Sequence, residues 1–244
     1  MADNSAIEWT EATWNPVTGC DKVSPGCAHC YAEAFAERWR GVAGHPYEQG
    51  FDLRIWPQRL DQPIRWKRPR MIFVNSMSDL FHEQIPADFI RRVFASMEEA
   101  HWHTFQILTK RPERVVEMAD RLSWPENVWM GVSIENRRFV GRADLLRQVN
   151  SAVRFISAEP LLGPLEGLDL TEIDWLIAGG ESGFRHRPVQ ADWIRSLRSR
   201  CEDEEVAFFF KQWGGRTPKA GGRELDGRTY DGMPPTSRRE LTVA

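Results

Sequence analysis

Short apolar runs recur along the chain from residue 71 onward, and each run ends in polar or small residues. The runs have the length and composition of buried strands: MIFVNSMSD, TFQILTKRP, VWMGVSIEN, VRFISAEP, WLIAGGESG and VAFFFKQWGG. Helical stretches lie between most of them, at residues 86–101, 112–122, 136–149 and 188–205. This alternation of strands and helices predicts a parallel α/β sheet or barrel.

The connection over residues 159–174 contains two glycines and two prolines, which predict an irregular crossover instead of a regular helix. A short first strand around residues 7–14 raises the expected number of strands to about seven. No G-x-G-x-x-G sequence follows that strand, which disfavours a Rossmann domain. The sequence therefore predicts an α/β fold, a partial (β/α) TIM-like barrel of about six or seven parallel strands, in a single domain over residues 1–244.

Polar and ionisable side chains stand at the end of every one of these predicted strands. In parallel α/β folds the carboxyl ends of the strands meet at one edge, where active sites form. Helix capping explains one or two such residues, but six sets in succession indicate a site, because buried charges must be paired or functional. The strand-end residues are Asn75, Ser76, Ser78, Asp79, Thr109, Lys110, Ser133, Glu135, Ser157, Glu159, Glu181, Ser182, Lys211 and Gln212.

Three cysteines near the amino terminus, Cys20, Cys27 and Cys30, form a C-x6-C-x2-C pattern just ahead of a helix-like stretch. Three thiolates cannot close a four-coordinate site. A structural zinc would recruit a fourth ligand, for which His29 is available, whereas an iron–sulfur cluster held by three cysteines keeps one iron open. The pattern favours iron–sulfur and leaves zinc as the alternative.

Composition and charge indicate a cellular compartment and limit the classes of partner. The net charge of −3 gives no general case for nucleic-acid binding. No apolar run approaches the roughly 18 residues of a membrane span, and the polar start lacks the regions of a signal peptide, so we expect a cytoplasmic protein without a membrane partner. In a reducing compartment, clustered cysteines serve metal or redox chemistry more often than disulfides. Cys201, in a charged helical stretch, is interpreted as unrelated to the cluster.

The cysteine loop (residues 15–31), the barrel pattern and the glycine–glycine–glutamate sequence of Gly179, Gly180 and Glu181 together resemble the radical S-adenosylmethionine superfamily. More narrowly, strings between about residues 7 and 235 look like those of a phage-associated family of poorly defined activity: IEWTEATWNPVTGC, SPGCAHCYAE, VNSMSDLFH, ILTKRPE, GVSIEN, SAEPLLGP, GGESG and FFKQWGG. The superfamily's commonest spacing is C-x3-C-x2-C, and its glycine–glycine–glutamate sequence usually follows the second strand instead of a late one.

The resemblance implies that Cys20, Cys27 and Cys30 bind a [4Fe-4S] cluster. It also implies that S-adenosylmethionine occupies the open iron, and that an external electron donor drives its cleavage to a 5′-deoxyadenosyl radical. The candidate cofactor-binding residues are Asn75, Ser76, Ser78, Glu135, Ser157, Gly179, Gly180 and Glu181. The candidate catalytic residues are Asp79, Lys110, Glu159 and Lys211.

The ionisable candidates have distinct expected roles. Lys110 and Lys211 can meet the methionyl carboxylate or an anionic substrate, since a lysine ammonium is a compact charge. Glu159 and Glu181 can accept hydrogen bonds from the amine or the ribose, and Asp79 can do the same or exchange protons with substrate. In the structural alternative, Lys110 pairs with Glu135 or Glu159 inside the barrel.

Local positive charge suggests a substrate class. The sequence IRWKRPR, residues 64–70, interleaves Trp66 with four basic residues, a combination that can stack a base and neutralise phosphate. Lys110-Arg111 and Arg137-Arg138 add positive charge beside strand ends. With the phage link, these patches suggest nucleic-acid modification or repair by a lyase acting on a base lesion. Nothing in the sequence indicates an oligomeric state.

Two other functions compete with the radical enzyme. The first is a zinc-stabilised barrel that binds nucleic acid or protein without catalysis. The second is a hydrolase or lyase that uses Asp79, Lys110 and Glu159 without a cluster, and it leaves the cysteines unexplained.

The carboxyl-terminal extension, residues 214–244, is rich in glycine and charge and is predicted to be mostly loop that covers the barrel mouth. A hairpin over residues 224–230 is expected across the Asp226-Gly227 turn, and the last eight residues are expected to be disordered.

Overall fold

The computed structural model of the chain describes residues 5–235, which contain nine strands and six α-helices besides single turns of 3-10 helix. The strands are β1 (Ala12–Trp14), β2 (Val17–Thr18), β3 (Arg54–Ile55), β4 (Met71–Val74), β5 (Thr104–Thr109), β6 (Val128–Ser133), β7 (Val153–Ala158), β8 (Trp175–Gly179) and β9 (Ala207–Gln212). The helices are α1 (Tyr31–Ala36), α2 (Gln62–Arg65), α3 (Ala87–Glu99), α4 (Pro112–Met118), α5 (Arg142–Leu146) and α6 (Ala191–Asp203).

Seven of these strands form one sheet in the order β1-β4-β5-β6-β7-β8-β9, and β2 pairs with β3 in a small antiparallel sheet. The pairings of β1 with β4, β4 with β5, β7 with β8 and β8 with β9 are parallel. Seven strands are one fewer than the eight that close a full barrel. The predicted α/β partial-barrel class is therefore confirmed. The residues group into two compact units, 1–129 and 130–244, with the boundary inside β6.

In the first unit, α3 shows how the sequence pattern determines packing. The helix begins directly after Pro86, has Asp88 in its first turn and buries the apolar side chains of one face, among them Phe89, Val93 and Phe94. The first strand is shorter than predicted, because β1 begins only at Ala12. Before it, the Thr10 hydroxyl donates hydrogen bonds to the carbonyls of Ala12 and Met71, so the chain turns before joining β4.

In the second unit, β7 and β8 are buried along their whole length, as expected for strands covered on both faces. The helix predicted over residues 136–149 is instead a 3-10 turn at Arg137–Phe139 followed by the short α5, with Gly141 at the junction. The crossover at residues 159–174 is irregular, as predicted. Its backbone is tied to the sheet where the N–H of Leu161 donates to the carbonyl of Gly179 at 2.9 Å.

The described part of the extension, residues 214–235, contains the predicted turn. Leu225 and Arg228 form a single antiparallel bridge across Asp226 (φ 53°) and Gly227 (φ 80°), the left-handed pair that a two-residue hairpin turn requires. Farther on, the N–H of Gly232 donates to the carbonyl of Phe208, and the N–H of Phe210 donates to that of Tyr230. The extension thus lies along the edge strand β9, which it covers.

The predicted disorder of the last eight residues falls outside the described part of the chain. Across residues 5–235, none of the helices has both the length and the apolar character needed to cross a membrane.

Candidate functional site

The cysteine loop is fixed at its entrance and at its exit. It leaves β2 through Gly19, whose φ of +85° lies in the left-handed region and whose missing Cβ leaves space for the Asp52 carbonyl. The N–H of Gly19 donates to the carbonyl of Met77 at 3.0 Å, and the N–H of Cys20 donates to that of Phe51 at 3.3 Å. At its exit, the loop passes through the 3-10 turn Pro25–Cys27 into α1.

The three thiols are partly buried and lie within electrostatic reach of one another. Burial, followed by the charge of Asp79, raises the pKa of Cys20 to about 11. Burial also raises the pKa of Cys30, and the charge of Cys27 acts on both residues in the same direction. The Cys27 Sγ lies 3.7 Å from the hydroxyl of Ser24. With raised pKa values, the thiols of Cys20 and Cys30 are protonated until a cation replaces their protons.

The donor set of the loop fits an iron–sulfur cluster, since three thiols on one short loop are what three irons need. Their side chains are not gathered around a common point: among residues 5–235, no group of three or more His, Cys, Asp or Glu side chains is arranged to hold a metal ion.

Asp79 is the centre of a buried network at the carboxyl ends of β4 and β5. One carboxylate oxygen accepts the hydroxyl of Thr109 at 2.7 Å and the N–H of Phe81 at 3.0 Å. The other oxygen accepts the N–H of Lys110 at 3.0 Å and Nη1 of Arg111 at 3.3 Å. The side chain is only 6% exposed. The carboxylate is therefore fully engaged by protein groups, as a buried charge must be.

Arg111 connects this network to the cysteine loop. Its Nη1 also donates to the Sγ of Cys20 at 3.4 Å, its Nη2 to the carbonyl of Asp21 at 3.3 Å, and its Nε to Glu83 at 2.9 Å. Burial opposes the charged form of this guanidinium, but the charges of Asp79 and Cys20 more than offset that effect and raise its pKa. A permanently charged group thus lies buried against one cysteine sulfur.

A second contact fixes the same loop. His82, 1% exposed, lies with its Nε2 3.0 Å from a carboxylate oxygen of Asp21. The other ring nitrogen accepts the N–H of Gln84 at 3.2 Å, which leaves the proton on Nε2 to be donated to Asp21. Asp21 is thus held by Arg111 through its carbonyl and by His82 through its side chain.

The polar residues that follow β4 form hydrogen bonds with the segment that leads into the cysteine loop. Ser78 donates its hydroxyl to the carbonyl of Val17 at 3.0 Å, and the hydroxyl of Ser76 lies within hydrogen-bond distance of the Asn15 side chain. Asn75, which has a φ of 59°, accepts the N–H of Val17 through Oδ1 at 3.3 Å. Its Nδ2 is buried and has no hydrogen-bond partner in the described structure. An orphaned buried donor is uncommon and fits a missing ligand.

In the second unit the predicted carboxylates each have a basic partner of their own. Glu135, fully buried, lies 3.1 Å from Nη1 of Arg142, which also donates to the carbonyl of Ser133 at 2.7 Å. Glu159 pairs with Lys211 at 3.4 Å. Glu181 forms a third ion pair, with Arg187.

Glu181 accepts the backbone N–H of Arg187 at 2.8 Å and its Nε at 2.9 Å. This carboxylate is 4% exposed, while Arg187 retains 33%. Ser157 is buried, and its carbonyl accepts the N–H of Ile134 at 3.0 Å. These contacts show what holds the residues; they assign no ligand to them.

The glycine pair at the end of β8 permits close contacts within the protein. A Cβ at Gly179 would lie 2.3 Å from a carboxylate oxygen of Glu159, and one at Gly180 would lie 2.0 Å from the carbonyl of Trp213. Both distances are far below van der Waals contact, so a larger residue would displace the Glu159 side chain at position 179 and the Trp213 backbone at position 180. Protein atoms therefore lie close to both glycines.

The structure therefore brings Asp79 and the backbone of Lys110 together with the cysteine loop in the first unit. It brings Glu159 together with Lys211 in the second. Sequence reasoning missed the basic partners Arg111, Arg142 and Arg187, of which Arg111 had been counted only as local positive charge. The available signal was an arginine two residues after the end of β5, in the string TKR.

The predicted basic patches have different environments. Residues 64–70 precede β4 and so lie at its amino end, opposite the edge where parallel-sheet sites form. Arg70 lies over the ring of Trp66 at 5.4 Å. Arg111 is buried, and the exposed Arg137 lies 3.7 Å from Glu166. Surface charge at these places is thus partly neutralised.

A family model described as "Protein of unknown function (DUF5131)" matches residues 4–234. No curated protein matches the sequence. Among solved structures, a double mutant of spore photoproduct lyase with bound AdoMet and dinucleoside spore photoproduct is 15% identical, with a TM-score of 0.44, over 77% of this chain and 60% of that chain. A single-site mutant of that lyase is 15% identical, with a TM-score of 0.38, over 75% and 58%. The chain spans about three fifths of the length of these lyase chains.

Proposed function

This chain belongs to the DUF5131 family, and we propose that it is a radical S-adenosylmethionine enzyme of lyase type that modifies or repairs nucleic acid. The observation that carries the proposal is the loop of Cys20, Cys27 and Cys30, which is anchored beside the carboxyl ends of β4 and β5. Active sites of parallel α/β folds form at this edge of the sheet. This loop is also one of the features that resemble the radical S-adenosylmethionine superfamily.

The three cysteines would hold three irons of a [4Fe-4S] cluster and leave one iron for the amine and carboxylate of S-adenosylmethionine. When bound and reduced by an external donor, this cluster supplies the electron that cleaves S-adenosylmethionine to methionine and a 5′-deoxyadenosyl radical. Cys20 and Cys30 must release their protons on loading, because burial raises their pKa values. Arg111 orients the Sγ of Cys20 through its hydrogen bond.

The nearby strand-end residues divide into positioning and binding roles. Asp79 has its carboxylate engaged by four donors, so it acts as a positioning residue for Arg111 and the β5 terminus. The orphaned Nδ2 of Asn75 is available to donate to a cofactor oxygen. Lys110 supplies positive charge at the same edge for the methionyl carboxylate.

Anaerobic reconstitution with iron and sulfide tests the proposal. The reconstituted chain is expected to bind about four irons and, with dithionite, to convert S-adenosylmethionine to 5′-deoxyadenosine. Cys27→Ala is expected to abolish both, because it removes one ligand. Cys201→Ala is the matched control, since that cysteine is buried elsewhere and is expected to leave both unchanged.

Two outcomes would contradict the radical mechanism. Stoichiometric zinc without cleavage of S-adenosylmethionine would favour the zinc-stabilised binding barrel. A hydrolase or lyase activity that survives Cys27→Ala would favour chemistry without a cluster. Iron and zinc content measured on the same sample separates these cases before any substrate is known.

A further inference from the structure

Phe184 is the most exposed large apolar side chain among residues 5–235, with 78% of its surface accessible. It lies in the segment after β8, beyond Gly183, and the guanidinium of Arg216 lies 5.2 Å from the centre of its ring. That distance is within the range of a cation–π contact. Two other exposed aromatic side chains contact rings: Trp39 stacks on His45 at 4.1 Å, and Phe35 meets Tyr47 edge-on at 5.6 Å.

Two segments of the second unit form this surface, residues 182–190 and 213–223. They contain five basic residues and no Asp or Glu; the basic residues are Arg185, Arg187, Arg216, Lys219 and Arg223. Arg187 is paired with Glu181, and Arg223 with Asp231. Arg185 and Arg216 lie in these segments as well and are exposed, so the surface carries positive charge although the whole chain is slightly acidic.

The two segments are held together by backbone contacts, so the surface is preformed. The N–H of Gly183 donates to the carbonyl of Gly215 at 2.8 Å, and the N–H of Gly215 donates to that of Glu181 at 3.0 Å. The Gln212 side chain donates to Ser182 at 2.8 Å and accepts the N–H of Lys219 at 3.2 Å. Both segments follow the carboxyl ends of parallel strands, β8 and β9.

We infer that Phe184, Arg185 and Arg216, here called the Phe184 platform, bind single-stranded nucleic acid by stacking a base on Phe184 and neutralising the adjacent phosphates. A flat, solvent-exposed ring within a cationic surface is the arrangement that binds single strands without sequence preference. The positive charge favours a polyanion as the occupant. This inference rests on the nucleic-acid part of the proposed function and is independent of its radical chemistry.

Fluorescence anisotropy of the full chain without cluster tests the inference. The probe is a labelled oligo-dT of about 12 nucleotides, compared with an abasic strand of the same length and charge. The wild-type chain is expected to bind the oligo-dT more tightly than the abasic strand. Phe184→Ala is expected to weaken oligo-dT binding about tenfold and to leave abasic binding unchanged, whereas Phe184→Trp should retain the preference.

The contribution of positive charge on the Phe184 platform is measured from the salt dependence of binding. Arg216→Ala is expected to weaken binding of both strands and to reduce the slope of log K against log salt by about 0.7, the value for one phosphate contact on a single strand. Phe35→Ala and Arg92→Ala are the matched controls, because both residues are exposed in the first unit. Neither control should change the affinity. Thermal melting of each variant verifies that it is folded.

Three outcomes would overturn the inference: no binding of the wild-type chain at about 50 mM salt, equal loss in Phe184→Ala and Phe35→Ala, or unchanged affinity in Phe184→Ala. Concentration-dependent self-association that Phe184→Asp removes, without any binding of oligo-dT, would identify the platform as a contact between copies of the chain. Formation of 5′-deoxyadenosine in a chain that does not bind the oligonucleotide would overturn this inference alone and leave the radical mechanism supported.

Discussion

The contacts between ionisable side chains at the strand ends differ between the two units. In residues 1–129, Asp79 and Arg111 belong to one connected network that reaches Glu83 and the sulfur of Cys20. In residues 130–244, each of three carboxylates has a basic partner: Glu135 with Arg142, Glu159 with Lys211 and Glu181 with Arg187. A connected network transmits the loss of one member to the others, whereas local pairs fail one at a time. The charge network of the first unit thus reaches a cysteine sulfur, whereas the ion pairs of the second unit do not contact a thiol; the charge of Glu135 also acts on Arg187.

The cysteines give the largest contrast between the units. Cys201 is 1% exposed, and burial raises its pKa to about 12, whereas the cysteines of the loop are all partly accessible. Because the thiolate is the reactive form, we expect Cys201 in the folded apo chain to react with N-ethylmaleimide at least about a hundredfold more slowly than the fastest loop cysteine. Peptide mapping by mass spectrometry over time measures each rate. Equal rates at Cys27 and Cys201 would contradict the contrast.

Arg111→Met is expected to cause the largest loss of stability. It leaves the carboxylate of Asp79 buried without its cation, and breaking a buried pair in this way costs about 3–5 kcal/mol. Urea unfolding of the apo chain measures the loss. In the Asp79→Asn, Arg111→Met double variant the cost should be well below the sum of the single losses, since no uncompensated charge remains. Additive losses would show that the two residues are not coupled.

The sequence predicted the strands and the charged residues at their ends, but not the contacts that the arginines make with those residues. Apolar runs located β4 to β9 because buried parallel strands are nearly continuous in hydrophobicity. Asp79 and Lys110 were expected to lie near one another because strand ends meet at one edge, and the N–H of Lys110 donates to Asp79. The string TKR shows an arginine beside a strand end, but the contact of Arg111 with Asp79 depends on how a long side chain folds back and could not be predicted. The same holds for Arg142 and Arg187.

Glu181→Gln tests whether the second unit depends on local pairs. Arg187 is one third exposed and can be hydrated when its partner loses charge, so we expect a smaller loss of about 1–3 kcal/mol, typical of charge-assisted hydrogen bonds. Urea unfolding measures it, and binding of S-adenosylmethionine to the reconstituted chain provides a second readout. A loss as large as that of Arg111→Met would remove the distinction between the units. Weaker cofactor binding at unchanged stability would instead assign Glu181 to the cofactor.

Glu159→Gln should have the smallest effect. Its ion pair with Lys211 is long, at 3.4 Å, and the two side chains retain 13% and 22% exposure. The isosteric amide keeps the packing against Gly179, so only charge is lost, and a partly solvated pair contributes about 1 kcal/mol or less. The free energy of unfolding in urea should differ less between the variant and the wild-type chain as the salt concentration increases, because mobile ions screen partly exposed charges. A loss that is large and insensitive to salt would mean that Glu159 belongs to a buried network like that of Asp79, and the contrast between the two units would then fail at this position.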